Sequence, residues 1–486
     1  MLFNSYFFIF VFLPLTLAGY FLINHFKKYA AADYFLIGMS LWFYGFFNYS
    51  YLPIICLSIL VNFALSRMIQ SDGRSAAGKK ALLIFGLLIN VGSIFYFKYY
   101  DFFIENINLL FRTCFTLKNL LLPLGISFFT FQQISFLVDS FRGETKDYSF
   151  REYALFVVFF PQLIAGPIVL HGEMIPQFSD RTKRSFRWDS MAHGLFCFAI
   201  GLAKKVMIAD SLSAVVGEGY SCLRDISSAE AWLTSICYTM QLYFDFSGYS
   251  DMAIGLGKMF NIDLPQNFDS PYQSTSVIDF WARWHMTLTR FLKTYVYYPL
   301  GGSRKGTART YLNILIVFTL SGLWHGAGWT FIVWGVLFGV LNCLNRLLLK
   351  PWEKLHIVTR WLLNFLIINC MWVFFRSESL AQAVWLLRKM FSMHGSALRV
   401  EMTAPFFTEF FKPLLLLPGL GRVLAGINLA PVWLMLAALF FIVLNVKNCS
   451  RRPFRPSVGN AVITIVLLSY SILLFSGVTE FLYFNF

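Results

Sequence analysis

A chain of 486 residues that is 57% hydrophobic, 19% aromatic and only 13% charged, with a mean hydropathy of +0.62, is neither a disordered segment, a coiled coil nor a small disulfide scaffold; soluble domains carry roughly 25% charged residues. It reads as one large all-α membrane body, with residues 1–486 as a single domain. Forty Lys and Arg stand against 25 Asp and Glu, a net charge of +15, which in such a body is assigned to cytoplasmic loops and anionic lipid rather than to nucleic acid.

The first apolar run, Tyr6–Asn24, has no basic residue before it and no small-x-small cleavage pattern after it, so it reads as a retained transmembrane helix. Apolar runs follow at Tyr34–Phe47, Leu52–Leu65, Ala81–Phe97, Leu120–Val138, Tyr153–Leu170, Met191–Ile208, Trp232–Leu256 and Tyr311–Leu349. The last are Trp361–Phe375, Ala404–Leu420, Pro431–Val446 and Ala461–Leu482. Several fall short of the ~20 residues that cross a bilayer and one far exceeds them, so the expectation is about eleven spans, with the remainder re-entrant, interfacial or tilted. The links Asn24–Asp33 and Arg67–Lys80 are basic while Asn48–Tyr51 is uncharged, which places the basic links in the cytoplasm and the N-terminus outside. The eight cysteines show no C-x-x-C pair and read as small apolar side chains, not as a disulfide or metal framework.

Polar residues inside a membrane are costly, and here they concentrate between Gln241 and His325, which makes that region the candidate functional site. Asp245 and Asp251 lie in an apolar stretch; the simpler reading is that they cap a broken helix or pair with an arginine of the basic segment that follows. The segment Phe280–Arg309 holds six basic residues and no acid. Its opening stretch, from Phe280 onward, read as a helix, sets Trp281, Trp284, His285 and Leu288 on one face and Arg283, Thr287, Arg290 and Thr294 on another. Its arginines fit either lipid phosphates or the phosphates of an anionic acyl donor, lipid being the simpler reading. The run Ser321-Gly-Leu-Trp324-His325-Gly-Ala-Gly328 places a histidine among three glycines inside an apolar run. The glycines there either let helices pack closely or break the helix so that His325 faces a cavity as a general base. The chain has no G-x-S-x-G elbow, no H-x-x-x-x-D pair, no D-x-D pair and no phosphate-binding loop, leaving a histidine-centred site without a metal, or a transport pathway.

At these residues the sequence resembles the membrane-bound O-acyltransferase family, bacterial polysaccharide branch. The resemblance runs through Phe159-Phe-Pro-Gln-Leu-Ile-Ala-Gly166-Pro167, Tyr243-Phe-Asp245-Phe-Ser-Gly-Tyr-Ser-Asp251, Asn267-Phe-Asp-Ser-Pro-Tyr272, Phe280-Trp-Ala-Arg-Trp-His285, Tyr295-Val-Tyr-Tyr-Pro299 and Leu323-Trp324-His325-Gly326. It implies an intramembrane tunnel and acyl transfer from a cytoplasmic thioester, acetyl-CoA foremost, to hydroxyls of an exported polysaccharide such as an alginate-like exopolymer. Peptidoglycan and teichoic acid are the other acceptors it suggests. It further implies a multi-pass protein of the cytoplasmic (inner) membrane that works with periplasmic O-acetylation partners. It maps the family's catalytic histidine onto His325 and the branch's second histidine onto His285. Arg283, Arg290 and Lys293 become candidates for donor phosphates, and Asp245, Asp251, Trp324 and Asn267 for structural or tunnel-lining roles. Two positions depart from the branch pattern: Phe338 stands where many members have a third histidine, and Thr294 where many have Asp. The competing class is a transporter or flippase, against which the absence of paired inverted repeats speaks.

Overall fold

The computed structural model describes residues 1–145, 147–393, 395, 398–402, 410–413, 430–449, 454–475 and 482. Among these every regular element is helical, with no strand. Among the described residues, five helices are long and apolar enough to cross a membrane: Phe8–His25, Tyr49–Gln70, Ala76–Phe111, Trp329–Leu347 and Ile357–Arg376. By length and composition they fit a multi-pass membrane protein, and among the described residues they account for five of the about eleven spans expected. Other apolar runs fold as shorter helices, such as Ile126–Arg142 and Val458–Leu473. The expected run Ala404–Leu420 lies outside the described residues except for 410–413.

Helix ends follow local chemistry. Pro53 sits at the start of Leu52–Gln70, where the missing N–H costs nothing, while Pro14 follows the π-helical turn Phe8–Phe12 within Phe8–His25. Ser149 and Glu152 cap each other's backbone at the start of Phe150–Val158, and Gly143 ends Ile126–Arg142 in the left-handed region, with φ +87°.

The described chain forms two compact units. In the first, Met1–Leu195 with Ala253–Pro265, polar side chains join apolar helices: Asn90 donates to Asn62 at 2.6 Å, and Ser58 to Gln133 at 2.7 Å. Such bonds bind helices where lipid offers no hydrogen-bonding alternative. Asp33, buried, takes Arg184 at 2.6 Å and Arg151 at 3.2 Å.

The second unit, Phe196–Met252 with Gln266–Phe486, carries all the candidate residues. Its organising element is the helix Ser228–Met259, 32 residues long and buried almost throughout the stretch to Asp251. The helix before it, Trp188–Ala203, continues into a π-helical turn at Lys204–Ala209. Gly201 and Gly248 let these two helices touch: a Cβ on Gly201 would sit 2.5 Å from the Gly248 carbonyl. That approach brings Lys204 to Asp251 at 2.6 Å and Lys205 to Asp245 at 2.7 Å. The aspartates therefore neither cap a broken helix nor pair with an arginine of the basic segment. Their helix is continuous, and their partners are lysines about forty residues earlier in the chain, delivered by helix packing.

The long apolar run after Tyr311 folds as a hairpin, Thr307–His325 and Trp329–Leu347. Its arms meet at Gly322 and Gly335, where a Cβ on either would come within 3.1 Å of the other's Cα. A core of Phe280, Trp284, Trp334, Phe338, Trp372 and Phe375 fills the space beneath the turn.

Candidate active site

Both histidines sit at helix breaks. Sequence periodicity sets His285 within one amphipathic helix; the structure has two, Val277–Arg283 and Met286–Leu292. His285 lies between them in the left-handed region, with φ +44°, so the two-faced helix is not formed. The break is held from outside. The Asn267 carbonyl accepts the Met286 N–H at 2.9 Å, and the Arg283 carbonyl accepts the Asp269 N–H at 2.9 Å. A non-glycine residue at positive φ costs about 1–3 kcal/mol and persists where its surroundings enforce it, commonly at functional sites.

The same residue sets the imidazole. Asn267 is fully buried, and its Oδ1 accepts from the Thr287 hydroxyl at 2.9 Å and the Thr287 backbone N–H at 3.4 Å. His285 Nδ1 lies 3.0 Å from that oxygen. Since the Thr287 N–H identifies the atom as an acceptor, Nδ1 carries the proton, and Nε2 is the basic nitrogen. The Asn267 amide donates to Ser250 Oγ at 3.3 Å, tying the clamp to the helix Ser228–Met259.

His325 ends its helix, and Gly326 follows in extended backbone. The glycines thus do both things expected of them: Gly322 allows close packing, and Gly326 opens the chain. His325 is 4% exposed; its Nδ1 is 2.6 Å from the Ser321 carbonyl. A carbonyl only accepts, so here too Nδ1 bears the proton and Nε2 the lone pair.

The two imidazoles lie 6.5 Å apart, centroid to centroid, at 83°. Trp324 packs beside both, 5.9 Å from His285 and 4.8 Å from His325. Phe246 packs edge-on to His285 at 4.8 Å, while Trp334 and Phe375 pack on His325 at 5.1 and 5.3 Å. Two histidines in one tautomer, walled by aromatics, are an arrangement chemically able to take a proton from a weakly acidic group away from water.

A cavity of about 490 Å³, lined in part by Trp281, Leu288, Lys293, Tyr297, Ser321 and Arg346, reaches the residue whose carbonyl holds His325. Its volume falls in the usual range for small-ligand sites. Lys293, expected at a donor site, lines it. Arg283 is instead bonded to Asp279 at 2.8 Å, one turn earlier in its helix, and Arg290 is half-buried outside the lining. Asp245 and Asp251, held by their lysines, brace the unit.

Sequence reasoning thus located His285, His325, Trp324 and Asn267, which the structure brings together. It placed Thr287 only on a helix face and Ser250 and Ser321 only within longer runs, with no role for any of them, and it missed Arg346, for which the sequence carries no distinctive signal. It also missed Lys204 and Lys205, which two adjacent lysines in an apolar run could have flagged.

With that arrangement in view, the chain is assigned to its class: it belongs to the membrane-bound O-acyltransferase family, whose model matches residues 109–381, and it is an acyltransferase of that type. It is 44% identical over 428 residues to a peptidoglycan O-acetyltransferase of Helicobacter pylori, covering 82% of this chain and 81% of that protein. It is 38% identical over 398 residues to a probable alginate O-acetylase, AlgI, of Azotobacter vinelandii, covering 81% and 78%. A teichoic acid D-alanyltransferase of Bacillus subtilis is similar at 26% identity over 253 residues, half of this chain and 63% of that protein.

Proposed function

We propose that the protein moves an acetyl group from a cytoplasmic thioester, acetyl-CoA or an acyl carrier, to hydroxyls of a glycan outside the cytoplasmic membrane. The observation that carries this reading is the buried pair His285 and His325, each with Nδ1 bonded to an acceptor oxygen, which makes Nε2 the unprotonated nitrogen. In the step we envisage, the glycan hydroxyl oxygen attacks the thioester carbonyl carbon as His325 Nε2 takes the hydroxyl proton. The tetrahedral intermediate then expels the thiolate, which recovers that proton, giving ester and free thiol. His285 Nε2 orients the acceptor by accepting from a neighbouring hydroxyl of the same glycan. The basic residues Lys293 and Arg346 on the cavity support its use by the phosphate-bearing donor. The basic links Asn24–Asp33 and Arg67–Lys80 then lie on the donor side and the N-terminus on the other. A periplasmic partner fits a reaction whose acceptor is exported.

The relatives support one acceptor over the other. The peptidoglycan O-acetyltransferase is similar at 44% identity and the alginate relative at 38%, which puts the peptidoglycan glycan strand ahead of the alginate-like polymer favoured by the sequence motifs. The test is base-labile acetate measured on isolated peptidoglycan and on exopolysaccharide from cells with and without the protein. Loss from peptidoglycan is expected; loss confined to the exopolysaccharide would return the assignment to the alginate-like acceptor, and loss from neither would end the reading.

Asn267 provides a further check. Asn267→Leu removes the acceptor of the His285 Nδ1 proton, and a buried donor left unpaired costs about 1–3 kcal/mol. Acetyl transfer is expected to fall about tenfold or more. Asn267→Asp, which keeps an acceptor oxygen, is expected to retain most of the rate. Equal losses in the two variants would show that the amide serves packing alone.

A further inference from the structure

Acyl transfer needs hydrogen bonds to the carbonyl oxygen as it gains charge, and the two histidines do not supply them: each has its N–H bonded elsewhere, to Asn267 Oδ1 and to the Ser321 carbonyl. Arg283 is paired with Asp279. Beside them stand indoles in an unusual state. The Nε1 atoms of Trp281 and Trp334, like that of Trp372, are buried and have no hydrogen-bond partner among the described residues, although buried indole N–H groups ordinarily find one; of these, Trp281 and Trp334 are the ones that meet the cavity and His325. Their positions connect the two halves of the site. Trp281 lines the cavity, Trp334 packs on His325 at 5.1 Å, and the two rings are 5.8 Å apart. Phe338 holds both edge-on, 5.0 Å from Trp281 and 5.1 Å from Trp334, and Trp372 stacks on Trp334 at 5.8 Å, so the rings are fixed before any ligand arrives.

We infer that the indole N–H groups of Trp281 and Trp334 donate to the thioester carbonyl oxygen, holding it as the hydroxyl attacks and as the oxyanion forms. This inference rests on the acetyl-transfer reading and extends it, assigning to two tryptophans the electrophilic half of a reaction whose basic half is His325. No bond to the indoles forms or breaks: each N–H donates to the carbonyl oxygen, more strongly to the oxyanion, and is released when the carbonyl reforms.

The test uses the full-length protein in lipid nanodiscs, with Trp334→Phe and Trp281→Phe made separately; each keeps an aromatic ring and removes the N–H. The readouts are kcat and KM for an acetyl thioester and the affinity of its methyl-ketone analogue, which has the carbonyl but no leaving group. Loss of one oxyanion donor is expected to lower kcat about 10²-fold, with KM and ketone affinity within threefold of the parent. Unchanged kcat in both variants overturns the inference, as does a fall in ketone affinity equal to the fall in kcat, which marks a packing role. If Trp334→Phe does not yield folded protein, Trp281→Phe decides alone. A parent protein that releases no thiol from the acetyl thioester defeats the transfer reading and this inference with it, whereas an active parent beside two fully active variants defeats the inference alone.

Discussion

Replacing His325 by alanine is expected to reduce acetyl transfer about 10²–10⁴-fold, the range a positioned general base contributes, with the protein still folded. The two effects separate because His325 is held by a local bond, Nδ1 to the carbonyl one turn earlier in its helix, and lies at the end of that helix. Its removal deletes one side-chain hydrogen bond worth about 1 kcal/mol and some aromatic contact, while the packing of Gly322 on Gly335 that holds the hairpin remains. The comparison to make is initial rate against the yield and unfolding temperature of the purified variant. A variant that folds as the parent does and transfers acetate at the parental rate removes His325 from the mechanism.

The second large effect is on stability. Lys205 and Asp245 are each 2% exposed at the side chain and 2.7 Å apart; Lys205 also meets Asp210 at 2.7 Å. Removing one partner of a buried pair strands the other charge, at about 3–5 kcal/mol. Lys205→Met is therefore expected to unfold far below the parent temperature, or to fail to accumulate. Replacing both, Lys205→Met with Asp245→Leu, is expected to recover most of the loss, because apolar substitutes for a buried pair are often neutral or better, and Asp210, 20% exposed at its side chain, can turn to water. Thermal unfolding of the three proteins in the same nanodiscs measures this. If the double variant is no more stable than Lys205→Met, the charges are needed for something other than each other.

What the sequence disclosed and what it hid divide along the range of the forces. His325 was legible because its signal is local: glycines flank it within an apolar run, and they both pack and break the chain as glycine chemistry requires. The i, i+4 relation of Asp279 and Arg283 was equally local, and reading it would have removed Arg283 from the free cations. His285 was found as a residue but misplaced as to backbone, since Trp281, Trp284, His285 and Leu288 have helical spacing. The helix is interrupted by Asn267 and Asp269, which bond the backbone of 286 and 283 from another loop. The partners of Asp245 and Asp251 were hidden for the same reason. Nearness in sequence pointed to the following arginines, whereas the close approach at Gly201 and Gly248 delivers lysines from the preceding helix. Apolar composition revealed the membrane body, but not which runs become full-length helices, because that depends on where tertiary contacts cut them.

The measurement that bears most directly on the central claim is paired product analysis with purified protein, an acetyl thioester labelled in the acetyl group, and peptidoglycan glycan fragments as acceptor. Free thiol and glycan-bound acetate are predicted to appear in a one-to-one ratio, both depending on the acceptor and both lost in His325→Ala. Thiol release without ester, ester formation that survives loss of His325, or movement of glycan across the bilayer with no thiol released would contradict the account.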